Sequence, residues 1–124
     1  MKLLDDFFYI TDSSIVDSEN IKCAVSFNEA HTIYKAHFIG NPITPGVCLV
    51  QMAIEIMENI FKKSFVLQRV KSIKFKKPIT PKGKPSYIFT KIVDEGDSIS
   101  ASVSIEDSSD QFVKLVGMQL KVIS

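Results

Sequence analysis

Apolar and polar positions along the chain change period at clear points. Ile21, Cys23, Val25 and Phe27 alternate with Lys22, Ala24 and Ser26, and this period of two predicts a half-buried strand. Residues 3–10 are apolar with an acidic break and fit either a helix or a strand. A loop is expected from Asn28 to Pro45. Beyond it, Val47, Cys48, Leu49, Val50, Met52, Ala53, Ile54, Ile56, Met57, Ile60 and Phe61 cover most of a helical circumference. A helix apolar nearly all round is a buried one. Its start is expected at Thr44 or Pro45, with Thr44 as N-cap and proline at the first helical position, where a missing N–H costs nothing. Its end is expected at Lys62 or Lys63. The polar positions Gln51, Glu55, Glu58 and Asn59 fall in one stripe about 100° wide.

After the helix the period returns to two. Residues 70–77 and 85–93 read as strands, separated by Pro78, Pro81 and Gly83. Asp94-Glu95-Gly96-Asp97 reads as a hairpin turn. Ile99, Ala101, Val103 and Ile105 alternate with serines, and Asp107 to Asp110 forms a second turn. Phe112 to Ile123 is a long last strand, with Gly117 placed for a bulge. One apolar helix among antiparallel strands needs a curved sheet wrapped round it, an α+β arrangement.

The length, 124 residues, suggests a single domain, large enough to bury roughly two-thirds of its unfolded surface. Apolar residues make up 45%, an ordinary globular share. No apolar run approaches the roughly 20 residues that span a membrane. Asp5 and Asp6 interrupt the segment where a signal peptide would be uniformly apolar, so a cytoplasmic protein is expected. Cys23 and Cys48 fit no zinc spacing and read as buried free thiols, although Cys48 lies near a helix start, where thiolates are favoured. The net charge is only +1, but every charged residue from Asn59 to Val93 is Lys or Arg, between two acidic segments. This basic stretch is either a solvated face or a docking surface for an acidic partner. No aromatic-rich RNA motif or recognition helix points to nucleic acid.

The densest chemistry lies in His37-Phe38-Ile39-Gly40-Asn41-Pro42-Ile43-Thr44-Pro45-Gly46-Val47. Gly40, Pro42, Pro45 and Gly46 constrain the backbone between a histidine and a helix start. Such a stretch can hold an imidazole and a helix N-terminus against one substrate. His31 would need a third ligand to build a metal site with His37, and none is found, so it reads as a loop-shaping residue and no metal is expected.

The loop residues His37-Phe38, Gly40, Pro42 and Pro45-Gly46-Val47, with the later stretch Val70 to Ile79, resemble the 3-hydroxyacyl-[acyl carrier protein] dehydratases of fatty acid synthesis. The order of elements is similar over about residues 7–122. The resemblance implies a single hot-dog domain over residues 1–124, with an antiparallel sheet round one long central helix. It implies a dimer, or a higher oligomer of dimers, with apolar tunnels at the interface. It implies reversible loss of water from a (3R)-hydroxyacyl thioester to give the trans-2-enoyl thioester, with no cofactor. His37 would move the proton next to the thioester carbonyl, and the Gly46 N–H would hold the carbonyl oxygen, with Phe38, Pro45 and Val47 beside the substrate.

One position departs from the pattern. The family's helix acid falls on Gln51, which cannot act as a carboxylic acid, and Glu55 stands one turn on, on the same face. Three readings stay open. Glu55 serves as the acid with Gln51 orienting it; His37 works alone with water; or the acid is lost and the chain binds acyl groups without turnover. A hot-dog thioesterase and a non-catalytic subunit binding acyl chains or acyl carrier protein are the other functions. The carrier is acidic in this family, so Arg69, Lys71, Lys74, Lys76, Lys77, Lys82 and Lys84 are the expected docking residues.

Overall fold

A computed structural model describes residues 2–36 and 40–124. Seven antiparallel strands form one sheet: β1 (Phe8–Asp17), β2 (Asn20–Phe27), β3 (Phe65–Arg69), β4 (Ser72–Phe75), β5 (Ser86–Asp94), β6 (Ser98–Glu106) and β7 (Gln111–Val122). The order across the sheet is β1-β2-β5-β6-β7-β3, with β4 also paired to β7. Two helices, α1 (Thr32–Ala36) and α2 (Gly46–Phe61), lie between β2 and β3 in sequence. This is the hot-dog arrangement that the resemblance implies, with α2 as the buried helix.

Period-two patterning explains the inner face of the sheet. Ile21, Cys23, Val25 and Phe27 of β2 are buried, as are Ile99, Ala101, Val103 and Ile105 of β6. On β5 and β7 the alternation slips by one residue, from Tyr87 and Phe89 to Ile92, and from Val113 and Leu115 to Met118 and Leu120. Each slip is a bulge, and the two flank the same level of β6. Lys91 takes φ 53° in the first and Gly117 takes φ 65° in the second. An extra residue in a strand bends it and increases its twist. Two such bends facing each other across β6 curve the sheet round α2. Cys48, Leu49, Met52, Ala53, Ile56 and Met57 of α2 are buried in that curve, and the enclosed Tyr87 hydroxyl donates to the Leu49 carbonyl at 2.8 Å.

Several boundaries differ from the sequence reading. The residue before the first helical turn is Pro45, and among the described residues no side chain caps α2. The Thr44 hydroxyl is instead paired with the Tyr34 hydroxyl at 2.9 Å, which removes it from capping. The expected 70–77 strand is shorter, at Ser72–Phe75, and β3 lies ahead of it on the same edge of β7. The loop after β2 contains α1, and β1 reaches Asp17 along a stretch without alternation. Its residues from Thr11 onward are exposed, so no pattern of burial was imposed on them.

Gly117 makes the bulge in β7 testable. A Cβ there would lie 2.9 Å from the Lys71 Cβ, on a backbone in the left-handed region. Gly117→Ala is expected to lower stability by about 1 to 2 kcal/mol in urea unfolding. An unchanged midpoint would contradict this role for the glycine.

Candidate active site

The start of α2 is held in place from two sides. The Thr44 N–H donates to the Ile79 carbonyl at 2.8 Å, tying the loop to the segment after β4. The Thr44 side chain meets Tyr34 of α1, on which the Phe7 ring stacks at 5.3 Å. Burial pushes the Tyr34 phenol up to about 12, although its bond to Thr44 acts in the opposite direction. The first backbone N–H groups of a helix have no partner within it. Those of Gly46 and Val47 therefore stand at the positive end of the α2 dipole, able to hold an oxygen that gains negative charge. His37 and Phe38 lie outside the described residues.

His31 shapes the segment ahead of them. Its Nδ1 accepts from the Ile33 N–H at 3.1 Å, which leaves Nε2 to carry the ring proton towards Asp6, also at 3.1 Å. Its ring packs edge-on against Phe7. Loop shaping, the role read from the sequence, fits these contacts.

A groove of about 730 Å³ runs from Gly46 and Val47 past Val50, Gln51 and Ile54 to Phe65 and Leu67, with Ile73 and Phe75 opposite. Gln51 lines this groove, and Glu55 does not. Glu55 is 2% exposed and borders a separate cavity with Lys2, Leu4 and Lys62. Its carboxylate accepts from the Leu3 N–H at 2.8 and 2.9 Å, from the Leu4 N–H at 2.7 Å and from Gln51 Nε2 at 2.9 Å. The helix stripe is thus not a wet face at Glu55. A carboxylate taken out of water needs such donors, and the chain's first residues fold back to supply them. Glu58 accepts from the Phe65 N–H at 2.9 Å.

A second cavity of about 460 Å³ is lined by Ile43, Thr44, Pro45, Leu49, Lys76, Lys77 and Ile79 together with Gly46 and Phe75. Gly46 and Phe75 border both cavities. Arg69, Lys71, Lys74, Lys76, Lys77, Lys82 and Lys84 are all exposed. Lys77 is paired with Asp110, and Lys76 donates to Gln111. Cys48 is buried and its thiol is raised by desolvation, as is Cys23, which reaches about 11. A thiol held protonated is a poor nucleophile, and proximity to the helix start does not activate Cys48. No group of metal-ligating side chains occurs among the described residues, and no helix there is long and apolar enough to cross a membrane.

The sequence did not point to Phe75, Tyr34 or the Leu3 and Leu4 N–H groups. Phe75 sits among lysines on a short strand, and backbone donors leave no trace in side-chain patterns. Gly46 was the one available sign of close approach: a Cβ there would lie 2.9 Å from the tip of the Phe75 ring.

The sequence model of the ApeI-like family, described as ApeI dehydratase, matches residues 13–113. Over 98 residues the chain is 28% identical to the 3-hydroxyacyl-[acyl-carrier-protein] dehydratase FabZ of Fusobacterium nucleatum, a match covering 75% of this chain and 58% of that protein. The chain therefore spans less than two-thirds of the length of this relative. Among solved structures, the dehydratase heterocomplex ApeI:P from Xenorhabdus doucetiae superposes with a TM-score of 0.71 at 10% identity, over 90% of this chain and 96% of that one. A hypothetical thioesterase from Streptococcus pneumoniae, in an Asp52Ala mutant, superposes with a TM-score of 0.64 at 12% identity, over 98% and 94%. At such identities the likeness is one of fold.

The Glu55 arrangement generates its own test. Hydrogen bonds to a charged group contribute about 1.5 to 3 kcal/mol each. Glu55→Ala is expected to speed hydrogen exchange at the Leu3 and Leu4 amides and to lower global stability by about 3 kcal/mol. Unchanged protection of both amides would remove Glu55 as their anchor.

Proposed function

Because the chain belongs to the ApeI-like dehydratase family of hot-dog proteins, we propose that it removes water, reversibly, from a (3R)-hydroxyacyl thioester delivered on acyl carrier protein. The observation that carries this reading is the largely apolar groove that begins at the start of α2 and has Gln51 on its wall, with Glu58, held by the Phe65 N–H, further along. The thioester oxygen sits against the Gly46 and Val47 N–H groups, which stabilise the charge it gains as the C2 proton leaves. His37 takes that proton. Electrons from the broken C2–H bond form the C2=C3 double bond, and the C3–O bond breaks. The departing hydroxide takes a proton from the His37 imidazolium and leaves as water.

Gln51 holds the C3 hydroxyl, and Glu55 is a positioning residue behind it. Two features support this division. Glu55 lies outside the groove, and its oxygens are engaged by Leu3, Leu4 and Gln51. Of the three sequence readings, Glu55 as acid is the one that these two features support least.

A dimer is part of the proposal. Among the described residues β3 ends the strand order of the sheet, and at this edge Val47, Val66, Ile73 and Phe75 leave apolar surface exposed, with Val47 72% exposed. A second hot-dog subunit covering them would turn the groove into a tunnel. One other reading has a specific observation behind it. With Gln51 in place of the acid, the chain serves as a binding subunit beside an acid-bearing homologue, and the similar ApeI:P structure is a heterocomplex.

Assaying a 3-hydroxyacyl carrier-protein thioester for enoyl product and for free thiol separates these functions. Enoyl product without thiol is expected, with turnover falling about a hundredfold or more in His37→Ala and about tenfold in Gln51→Ala. Thiol release would indicate a thioesterase, and absence of both products a binding subunit.

Lys76 and Lys77 form one rim of the smaller cavity, and they are the proposed contact for the acidic carrier. Charge reversal of both to Glu is expected to raise KM for carrier-bound substrate, with an effect that shrinks as salt is added. An unchanged KM at low salt would remove these two residues from docking.

A further inference from the structure

We infer that Phe75 is a gate between an arm-side and an acyl-side compartment of the site, and that its ring leaves Gly46 when a thioester binds across the start of α2. This rests on the dehydratase reading above and adds to it how substrate gains access. Phe75 borders both cavities, as does Gly46 directly beneath its ring. The two sides differ in chemistry. The smaller cavity has Lys76 and Lys77 on its rim, suited to a polar arm from an acidic carrier. The larger has Val50, Ile54, Leu67 and Ile73 on its walls, suited to an alkyl chain, with Gln51 where a C3 hydroxyl would lie and Glu58 engaged by the Phe65 N–H. A thioester held at the Gly46 and Val47 N–H groups has its arm on one side and its chain on the other, so it must pass the place where the ring rests.

The ring is built to move. Within the single chain Phe75 is 55% exposed, unlike the aromatic residues of the core; in the proposed dimer its freedom to turn is that of a groove-lining side chain rather than of a solvent-exposed one. It closes a strand of four residues that pairs with β7. Rotamer changes at such positions take picoseconds to nanoseconds. Gly46 makes the closed position available, because a Cβ there would approach the ring tip to 2.9 Å. Gly46 has no left-handed φ, so alanine fits its backbone and displaces the ring.

When the open state is the minor one, association is slowed by the fraction of time the gate stands open. The probes are an amide analogue of 3-hydroxydecanoyl pantetheine, which spans both sides and does not react, and octanoate, which occupies the groove alone. Association rates are followed by surface plasmon resonance. With the spanning amide, Phe75→Ala is expected to associate about tenfold faster than the unaltered chain, as for an open fraction of about one tenth. Gly46→Ala is expected to move in the same direction, and octanoate association, which needs no passage past the ring, to change far less than that of the amide in each variant. Equal rates for the amide in all three, with thermal unfolding unchanged, would overturn the gate. Faster association of the amide and octanoate alike would also overturn it, since a general loosening is not a gate. Gated binding without enoyl product would refute dehydration and leave the gate standing, and dehydration with equal rates would do the reverse.

Discussion

A buried carboxylate on an otherwise apolar helix is the constraint on which much of this molecule turns. The Glu55 side chain lies within the core region and must be satisfied there. The chain does so with its own first residues, whose N–H groups at Leu3 and Leu4 point at it. That contact brings the N-terminal segment against α2, and the segment then reaches the site. Phe7 stacks on Tyr34, and the Tyr34 hydroxyl meets Thr44 beside the first turn of α2. Asp6 and Phe7 also meet His31, whose side chain caps α1 just ahead of His37. One chain of contacts thus links the middle of the helix to its start.

The same carboxylate separates two environments along one face of α2. Gln51 and Glu55 are four residues apart and joined by a 2.9 Å hydrogen bond, yet only Gln51 reaches the groove. The Gln51 amide donates to Glu55 from the groove wall. Its orientation is set from behind by an acceptor that is itself fixed by backbone donors. Preorganised polar groups of this kind cost little rearrangement when substrate binds.

Much of the fold was legible because burial leaves a period. β2 and β6 follow the alternation from Ile21 to Phe27 and from Ile99 to Ile105, and α2 follows its apolar circumference to within two residues at either end. Gly117 was marked as a bulge because glycine in a strand has few other uses. The matching bulge at Lys91 was not, since lysine carries no such sign. β1 was invisible beyond Ile10 because exposed positions on an edge strand are under no burial constraint. The candidate site was legible only where chemistry and backbone restriction coincide, in the Gly40 to Val47 stretch and at the Gln51 departure. Contacts made through backbone N–H groups, or by a half-exposed aromatic such as Phe75, depend on three-dimensional approach that spacing does not encode.

The division of labour between Gln51 and Glu55 is tested most directly by turnover of a 3-hydroxyacyl carrier-protein thioester in Glu55→Gln. The substitution keeps an acceptor for the Leu3 and Leu4 N–H groups and removes every possibility of carboxylic acid chemistry. Rotation of the Gln51 amide restores the pair between the two side chains but reverses which end of that amide faces the groove. A positioning role predicts enoyl product still formed, at a rate within about tenfold of the unaltered chain. A loss of about a hundredfold or more, with stability and thioester binding retained, would make Glu55 the acid and contradict the assignment.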